Sequence, residues 1–305
     1  MIIKKRDSKQ AEIDELTTLL SVPLPENKKF LSERELRFIK SGDRGEKDAA
    51  YFIDFHFASS NRWAVIHDLR LEYRDRVVQI DHLLINRFFD IYLLESKNFS
   101  YGLKITETGE FLVNNGKNYF AIESPVEQNK RHQIVLEQVI KNYDIMPKWL
   151  GITLTPSFYS YILVSPKSRI VKPDRVRFDT SMVIKTDTLR SAIDKRVDEM
   201  NSLSALSAVS KISSFETVVE VAKRLAALHR PFKADYRKRF GIEDASLSRT
   251  STKKAIDIQS SKPFYCFKCK KPITEQVAKF CWDNKQQFHG RAYCLDCQEA
   301  FPGQR

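Results

Sequence analysis

Apolar and polar positions alternate almost without break over residues 64–97. AVIHDLRLEY leads through a polar turn at 74–76 into VVQIDHLLI, and NRFFD turns the chain into IYLLESK. A period of two predicts three consecutive strands. Shorter strands are expected around GLKITE, EFLVN and KNYFAI, with NNGK as a hairpin turn, and another at FYSYILVSP. Helical periodicity surrounds them. Ala49, Ala50, Ile53 and Phe57 repeat at helical spacing after SGD at 41–43, which reads as a break. A helix is expected from Asp43, with Glu46 completing a capping box and lying on the same side as those apolar residues. Residues 1–40 are polar, with a weaker helix start at Ser32 and its partner Glu35. Ser124-Pro125-Val126-Glu127 begins a further helix, expected to reach about Tyr143. Leu189, Ile193, Val197 and Met200 mark a later helix. Phe215, Val218, Val219, Ala222 and Leu225 mark another, ending before Pro231. The chain is therefore read as α/β.

Three charged residues interrupt the apolar strands: Asp81, Glu95 and Lys97. Alternate strand residues share a face, so Glu95 and Lys97 point together and Leu94 points away. Asp81, on the neighbouring strand, can come alongside Glu95. The helix carrying Glu46 can pack onto this sheet. The helix from Ser124 has a largely apolar face with Gln128, His132, Val135 and Val139. Buried isolated charges cost several kcal/mol each, and clustered carboxylates raise one another's pKa. A divalent cation resolves both difficulties, since carboxylate oxygens are its ligands. Such a centre suits phosphodiester hydrolysis, with the lysine positioning water or stabilising transition-state charge. Each residue also has a structural reading: Asp81 as a strand-end turn residue, Glu95 and Lys97 as an edge-strand pair, Glu46 as a cap. His82 and His132 read first as structural histidines, with substrate contact as the alternative.

Charge adds a partner to this picture. The 305-residue chain carries a formal +12 and a pI of about 9.4, and residues 246–305 hold 11 Lys/Arg against 5 Asp/Glu. A polyanionic partner follows, either nucleic acid or an acidic membrane surface. No apolar run approaches the roughly 20 residues of a membrane span, and the N-terminus has no apolar signal core. A cytoplasmic protein is expected.

All 5 cysteines lie between Cys266 and Cys297. In a cytosolic chain this points to metal rather than disulfides. Cys266, Cys269, Cys294 and Cys297 form CxxC…CxxC, a ligand set for structural Zn²⁺. Cys281 is left over and reads as a small packed residue; it and His289 are weaker ligand alternatives. VAKFCWDNKQQFHGRAY alternates like a hairpin turning near 283–285, and CLDCQEAF suggests a short helix. Lys268, Lys270, Lys271, Lys285 and Arg291 interleave with aromatics including Trp282. That pattern suits stacking on bases and pairing with phosphates; protein–protein contact is the rival use. Residues 246–262, rich in Ser, Thr and Lys, read as a flexible linker.

GEK at 45–47, QIDHLLI at 79–85, LLESKN at 93–98 and SPVEQNKRH at 124–132 together resemble the nuclease-related domain (NERD) family. That family is similar in turn to the restriction-endonuclease-like superfamily, whose hallmark is an Asp followed by Asp/Glu-x-Lys on adjacent strands. The resemblance covers about residues 40–145. It implies a restriction-endonuclease-like mixed sheet flanked by helices. It further implies that Asp81 and Glu95 bind Mg²⁺ or Mn²⁺, assisted by Glu46 and the Ser96 backbone carbonyl, that Lys97 is the catalytic lysine, and that Gln128 orients phosphate or water. The cysteine segment resembles a treble-clef or ribbon-type zinc finger. The expected organisation is an N-terminal helical segment (1–40), a nuclease-like core (41–170), a mostly helical accessory region (171–245), the linker, and a zinc module (263–305). The expected function is metal-dependent cleavage of nucleic acid, DNA before RNA, with a homodimer or a larger defence or repair complex as the working assembly. The alternatives are a non-catalytic nucleic-acid-binding or interaction protein that kept the fold, and a docking platform at 150–245 that confines cleavage to a complex.

Overall fold

The alternating stretch forms the centre of a six-stranded sheet. In the computed structural model the described residues are 1–173, 179–208, 212–242, 264–298 and 301, with backbone alone at 200–208 and 276. The expected linker at 246–262 lies outside them. Two units are distinct, Met1–Glu243 and Asp244–Arg305. The first unit begins with β1 (Ile2–Lys4), α1 (Gln10–Leu20) and α2 (Glu26–Phe57). Three long strands follow, β2 (Trp63–Tyr73), β3 (Arg76–Asn86) and β4 (Asp90–Lys97). A small meander comes next, β5 (Leu103–Ile105), β6 (Phe111–Asn114) and β7 (Tyr119–Ile122), then α3 (Pro125–Asn142). The hairpin of β8 (Lys148–Trp149) and β9 (Ile152–Thr153) precedes β10 (Ser157–Val164), β11 (Ile170–Val171) and β12 (Val183–Lys185). Helices α4 (Leu189–Ala208), α5 (Phe215–Ala227) and α6 (Tyr236–Arg239) complete the unit.

The main sheet has the order β1-β2-β3-β4-β10-β12 and is mixed: β2, β3 and β4 are antiparallel, while β1, β10 and β12 join in parallel. The segments at 1–40 and beyond 171 thus supply β1 and β12 to the same sheet as the central strands. Helices α3 and α5 cover one face with Val135, Leu136, Val139, Val218, Val221 and Leu225. Helices α2 and α4 cover the other with Ala49, Ile53, Phe57, Leu189 and Ile193. Among the described residues no helix is long and apolar enough to cross a membrane.

Two expectations fail here. Helix α2 runs unbroken through Ser41-Gly42-Asp43, so no helix starts at Asp43. Ser32, expected as a cap, is buried in the helix interior, and Glu35 pairs with Arg239 at 2.7 Å. Glycine within a helix costs only about 1 kcal/mol relative to alanine. Packing at both ends outweighs that cost. Leu31, Leu36 and Ile39 pack against α1 and α6 through Leu16, Leu19 and Tyr236, while the later turns pack on the sheet. Asp43, freed from capping, accepts from Arg6 at 2.7 Å.

The strands carry one irregularity of consequence. Ile66 and Leu69 enter the same core, as do Ile80 and Leu83. Strict alternation would send each pair to opposite faces. The phase slips at Asp68, whose φ is +55°, and at Asp81, between the paired residues His67–His82 and Leu69–Ile80.

Candidate active site

Strand β4 is bonded on both sides for part of its length. Its pairing with β3 runs from Ile85–Ile91 to His82–Leu94 and stops, while its pairing with β10 continues to Lys97–Val164. A gap therefore opens between β3 and β4 beside residues 95–97. Asp81 reaches across it and accepts from the Ser96 backbone N–H at 2.8 Å. Ser96 was expected to offer its carbonyl to a metal; the groups it turns to Asp81 and His82 are its amide N–H and its hydroxyl.

Glu95 is 3% exposed. Lys97 Nζ donates to Glu95 Oε1 at 2.8 Å and to Gln128 Oε1 at 3.1 Å. Helix α3 delivers Gln128 because Ser124 caps its first turn, accepting from the Glu127 N–H, and because Val135 and Val139 lock it onto the sheet. Buried Asn129 donates to the Leu93 carbonyl at 3.0 Å and ties that helix to β4. The second oxygen of Glu95 is buried without a hydrogen-bond partner, and His132 Nδ1 stands 3.8 Å from it.

Helix α2 brings Glu46 from the other side of the sheet. Its close approach depends on Gly45, where a Cβ would lie 2.8 Å from Asn98 Cβ. Asn98, the residue after Lys97, also donates to the Ser41 carbonyl. Arg6 grips Asp43 and Glu46 together, at 2.7 and 3.0 Å, and Lys9 lies 3.7 Å from Asp68.

Electrostatics tie these groups into one site. Burial, then the charges of Glu95 and Glu46, push the Asp81 carboxyl well above its ordinary value. Burial also raises Glu95, against the pull of Lys97, and raises Glu46, against Arg6 and Lys9. His132 is driven down to about 4 by burial and by Lys97, so it is neutral near pH 7. The structure thus brings Asp81, Glu95, Lys97 and Gln128 to one gap, with Glu46 held by Arg6 and linked to the other acids through its charge. It does not bring the three carboxylates to mutual ligand distance. Among the described residues only the cysteine quartet has every ligand atom within 4.8 Å of the others. The acids nevertheless fit a divalent cation: Glu95 has a spare buried oxygen, Glu46 raises the proton affinity of both Asp81 and Glu95, and Glu95 raises that of Asp81. Residues without a sequence signal also belong here: Arg6, His67, Asp68 and Asn98.

The second unit is built on β13 (Phe264–Tyr265), β14 (Pro272–Ile273), α7 (Glu275–Asp283), α8 (Lys285–Phe288) and α9 (Leu295–Gln298). Cys266 and Cys269 sit in the turn between β13 and β14. Cys294 immediately precedes α9 and Cys297 lies within it, with the Cys269 and Cys294 sulfurs 3.5 Å apart. This fits a tetrahedral Zn²⁺ site. Cys281 lies outside the quartet, buried and accepting from the Tyr293 N–H and the Gln298 amide. The hairpin expected near 283–285 is instead the helix pair α7 and α8. Thr274 caps α7 by accepting from the Val277 N–H, and Ala278 and Cys281, one helical turn apart, enter the core. Arg291 lies 4.0 Å and Lys270 5.0 Å from the ring centroid of exposed Phe267. Trp282 meets Phe264 edge to face, Lys271 pairs with Asp296, and Lys268 and Lys285 are exposed.

Residues 41–164 match the family model of the nuclease-related domain, NERD. The matched segment runs from the middle of α2 to the end of β10 and contains Glu46, Asp81, Glu95, Lys97 and Gln128. No curated protein and no solved structure matches the chain.

Proposed function

We propose that this protein is a divalent-metal-dependent nuclease that hydrolyses phosphodiester bonds, with DNA as its substrate. The observation that carries the reading is Lys97, bonded to both Glu95 and Gln128 beside a partnerless buried carboxylate oxygen, with Asp81 anchored across the strand gap. Asp81 and Glu95, joined by Glu46 and the Ser96 carbonyl, would hold Mg²⁺ or Mn²⁺. When bound, such an ion polarises a phosphoryl oxygen and acidifies water. Lys97, three-quarters buried, presents a weakly screened positive charge to the transition state or to the attacking water. Gln128 accepts from Lys97 through Oε1 and, through its amide, favours the ionised form of Glu95; its second N–H would serve a phosphate or water. Glu46 joins the site when Arg6 releases it.

In the second unit a structural Zn²⁺ would organise the fold, and Lys268, Lys270, Lys271, Lys285, Arg291 and Trp282 would contact nucleic acid. A cytoplasmic protein, working as a homodimer or within a larger defence or repair complex, completes the reading.

The grip of Arg6 on Glu46, and carboxylates held apart, favour a second reading: a non-catalytic nucleic-acid-binding protein of the same fold. Purified protein incubated with circular DNA, linear DNA and RNA under Mg²⁺, Mn²⁺ or metal-free buffer separates the two. The nuclease reading expects metal-dependent cleavage that disappears in both Asp81→Ala and Lys97→Ala. Binding without cleavage by the wild-type chain refutes it in favour of the second.

A further inference from the structure

A buried polar chain beneath the acids has no part in the chemistry above. Asp54 Oδ1 is 2.9 Å from His67 Nε2, His67 Nδ1 is 2.7 Å from His82 Nδ1, and His82 Nε2 is 2.9 Å from Ser96 Oγ. The four residues come from four elements, α2, β2, β3 and β4. Both imidazoles are almost wholly buried, at 2% and 0% exposure, while the two ends of the chain reach solvent, Asp54 at 38% and Ser96 in part.

The order of protons along this chain is constrained. A carboxylate only accepts, so His67 donates from Nε2. A neutral ring has one N–H, so His67 Nδ1 accepts and His82 must donate from its own Nδ1. His82 Nε2 is then an acceptor, and the Ser96 hydroxyl donates to it. Neutral rings suit the site: both are almost wholly buried, and two facing Nδ1 atoms 2.7 Å apart hold a single proton between them. Every ring nitrogen in the chain is used once.

We propose that Asp54, His67 and His82 are positioning residues that act on the acidic site through Ser96. Ser96 is held twice, by His82 at its hydroxyl and by Asp81 at its backbone N–H. His82 and Asp81 are consecutive on β3, and the β3–β4 ladder ends at His82–Leu94. These two contacts replace the ladder where the strands part, and they fix the width of the gap between Asp81 and Glu95. They also commit the one Ser96 proton to His82, so the hydroxyl offers only lone pairs elsewhere. The claim rests on the nuclease reading in one respect, that the acids take a cation; the hydrogen-bonded chain stands without it.

The test uses ¹⁵N-labelled full-length protein. Imidazole spectra are expected to report His67 as the Nε2–H tautomer and His82 as the rarer Nδ1–H tautomer. Asp54→Ala removes the terminal acceptor. It is expected to scramble the His82 tautomer, two hydrogen bonds away, and to weaken calorimetric Mn²⁺ binding about 10-fold, as loss of outer-sphere hydrogen bonds does elsewhere. Asp54→Asn retains an acceptor oxygen and is expected to restore both. A merely structural role would shift melting temperature without moving the tautomer. An Nε2–H tautomer at wild-type His82, or an Asp54→Ala protein with His82 tautomer and Mn²⁺ affinity both unchanged, overturns the proposal. Tautomers that couple as expected in a wild-type protein that binds no Mn²⁺ support the chain and remove the metal reading instead.

Discussion

Asp81→Asn is the perturbation that separates a cation site from a structural acid most sharply. In the wild type Asp81 faces two other acids, and its charge is opposed by burial and by both of them. The amide keeps a hydrogen-bond acceptor for the Ser96 N–H, at a cost of about 1 kcal/mol for exchanging a charged acceptor for a neutral one. It also removes one of three like charges, which offsets that loss. The metal-free variant is therefore expected to melt at or above the wild type. Cation binding is another matter. An ion at a hundredfold excess over its Kd stabilises a folded protein by about 2.7 kcal/mol. For a unit of this size each kcal/mol corresponds to roughly 2–4 °C, so Mn²⁺ is expected to raise the wild-type melting temperature by about 5–10 °C. Asp81→Asn should lose that gain. The assay is scanning calorimetry of zinc-loaded full-length protein with and without Mn²⁺, so that the two units can be followed as separate transitions. An equal Mn²⁺ gain in variant and wild type would refute the cation site. So would a metal-free variant several degrees less stable, which would make Asp81 a structural residue.

Four further outcomes are expected. His132, neutral down to about pH 4 in the folded state and titrating near 6.5 when unfolded, contributes stability that is present above 6.5 and lost as pH falls toward 4; His132→Gln should flatten that part of the urea-midpoint-versus-pH curve. Arg6→Ala frees Glu46 from its guanidinium partner and should tighten Mn²⁺ binding by calorimetry; weaker binding would mean that Arg6 shapes the site instead of competing for it. Gly45→Ala places a methyl 2.8 Å from Asn98 Cβ and should cost about 1–3 kcal/mol in chemical denaturation. Cys269→Ser should abolish retention of about one Zn²⁺ per chain, measured by elemental analysis, while the melting of the first unit stays in place.

The candidate site was legible because its residues violate a regular pattern. Asp81, Glu95 and Lys97 interrupt strands whose alternation is otherwise clear, and the Ser124 cap fixes the phase of α3 and hence of Gln128. The cysteine quartet was legible from spacing alone. The residues that were not legible act across long sequence separations. Arg6 meets Glu46 over 40 residues, and His67 meets His82 across a hairpin. A lone histidine in a strand carries no mark of such a partner. The unbroken α2 was hidden because Gly42 and Asp43 are turn formers whose local preference is overridden by packing at either end of the helix. Helix α7 was hidden because Phe280 and Trp282, two residues apart, have a spacing that also fits a strand.

The continuity of α2 has a mechanical consequence. Glu46 sits 20 residues along a helix that starts at Glu26, about 30 Å away at 1.5 Å per residue. The far end is fastened: Lys28 donates to the Phe240 carbonyl, and Glu35 pairs with Arg239. With no hinge between these anchors and the acid, the helix is a stiff rod. The rod is pinned at both ends, so the α1–α6 corner and the strand gap are held at a fixed spacing.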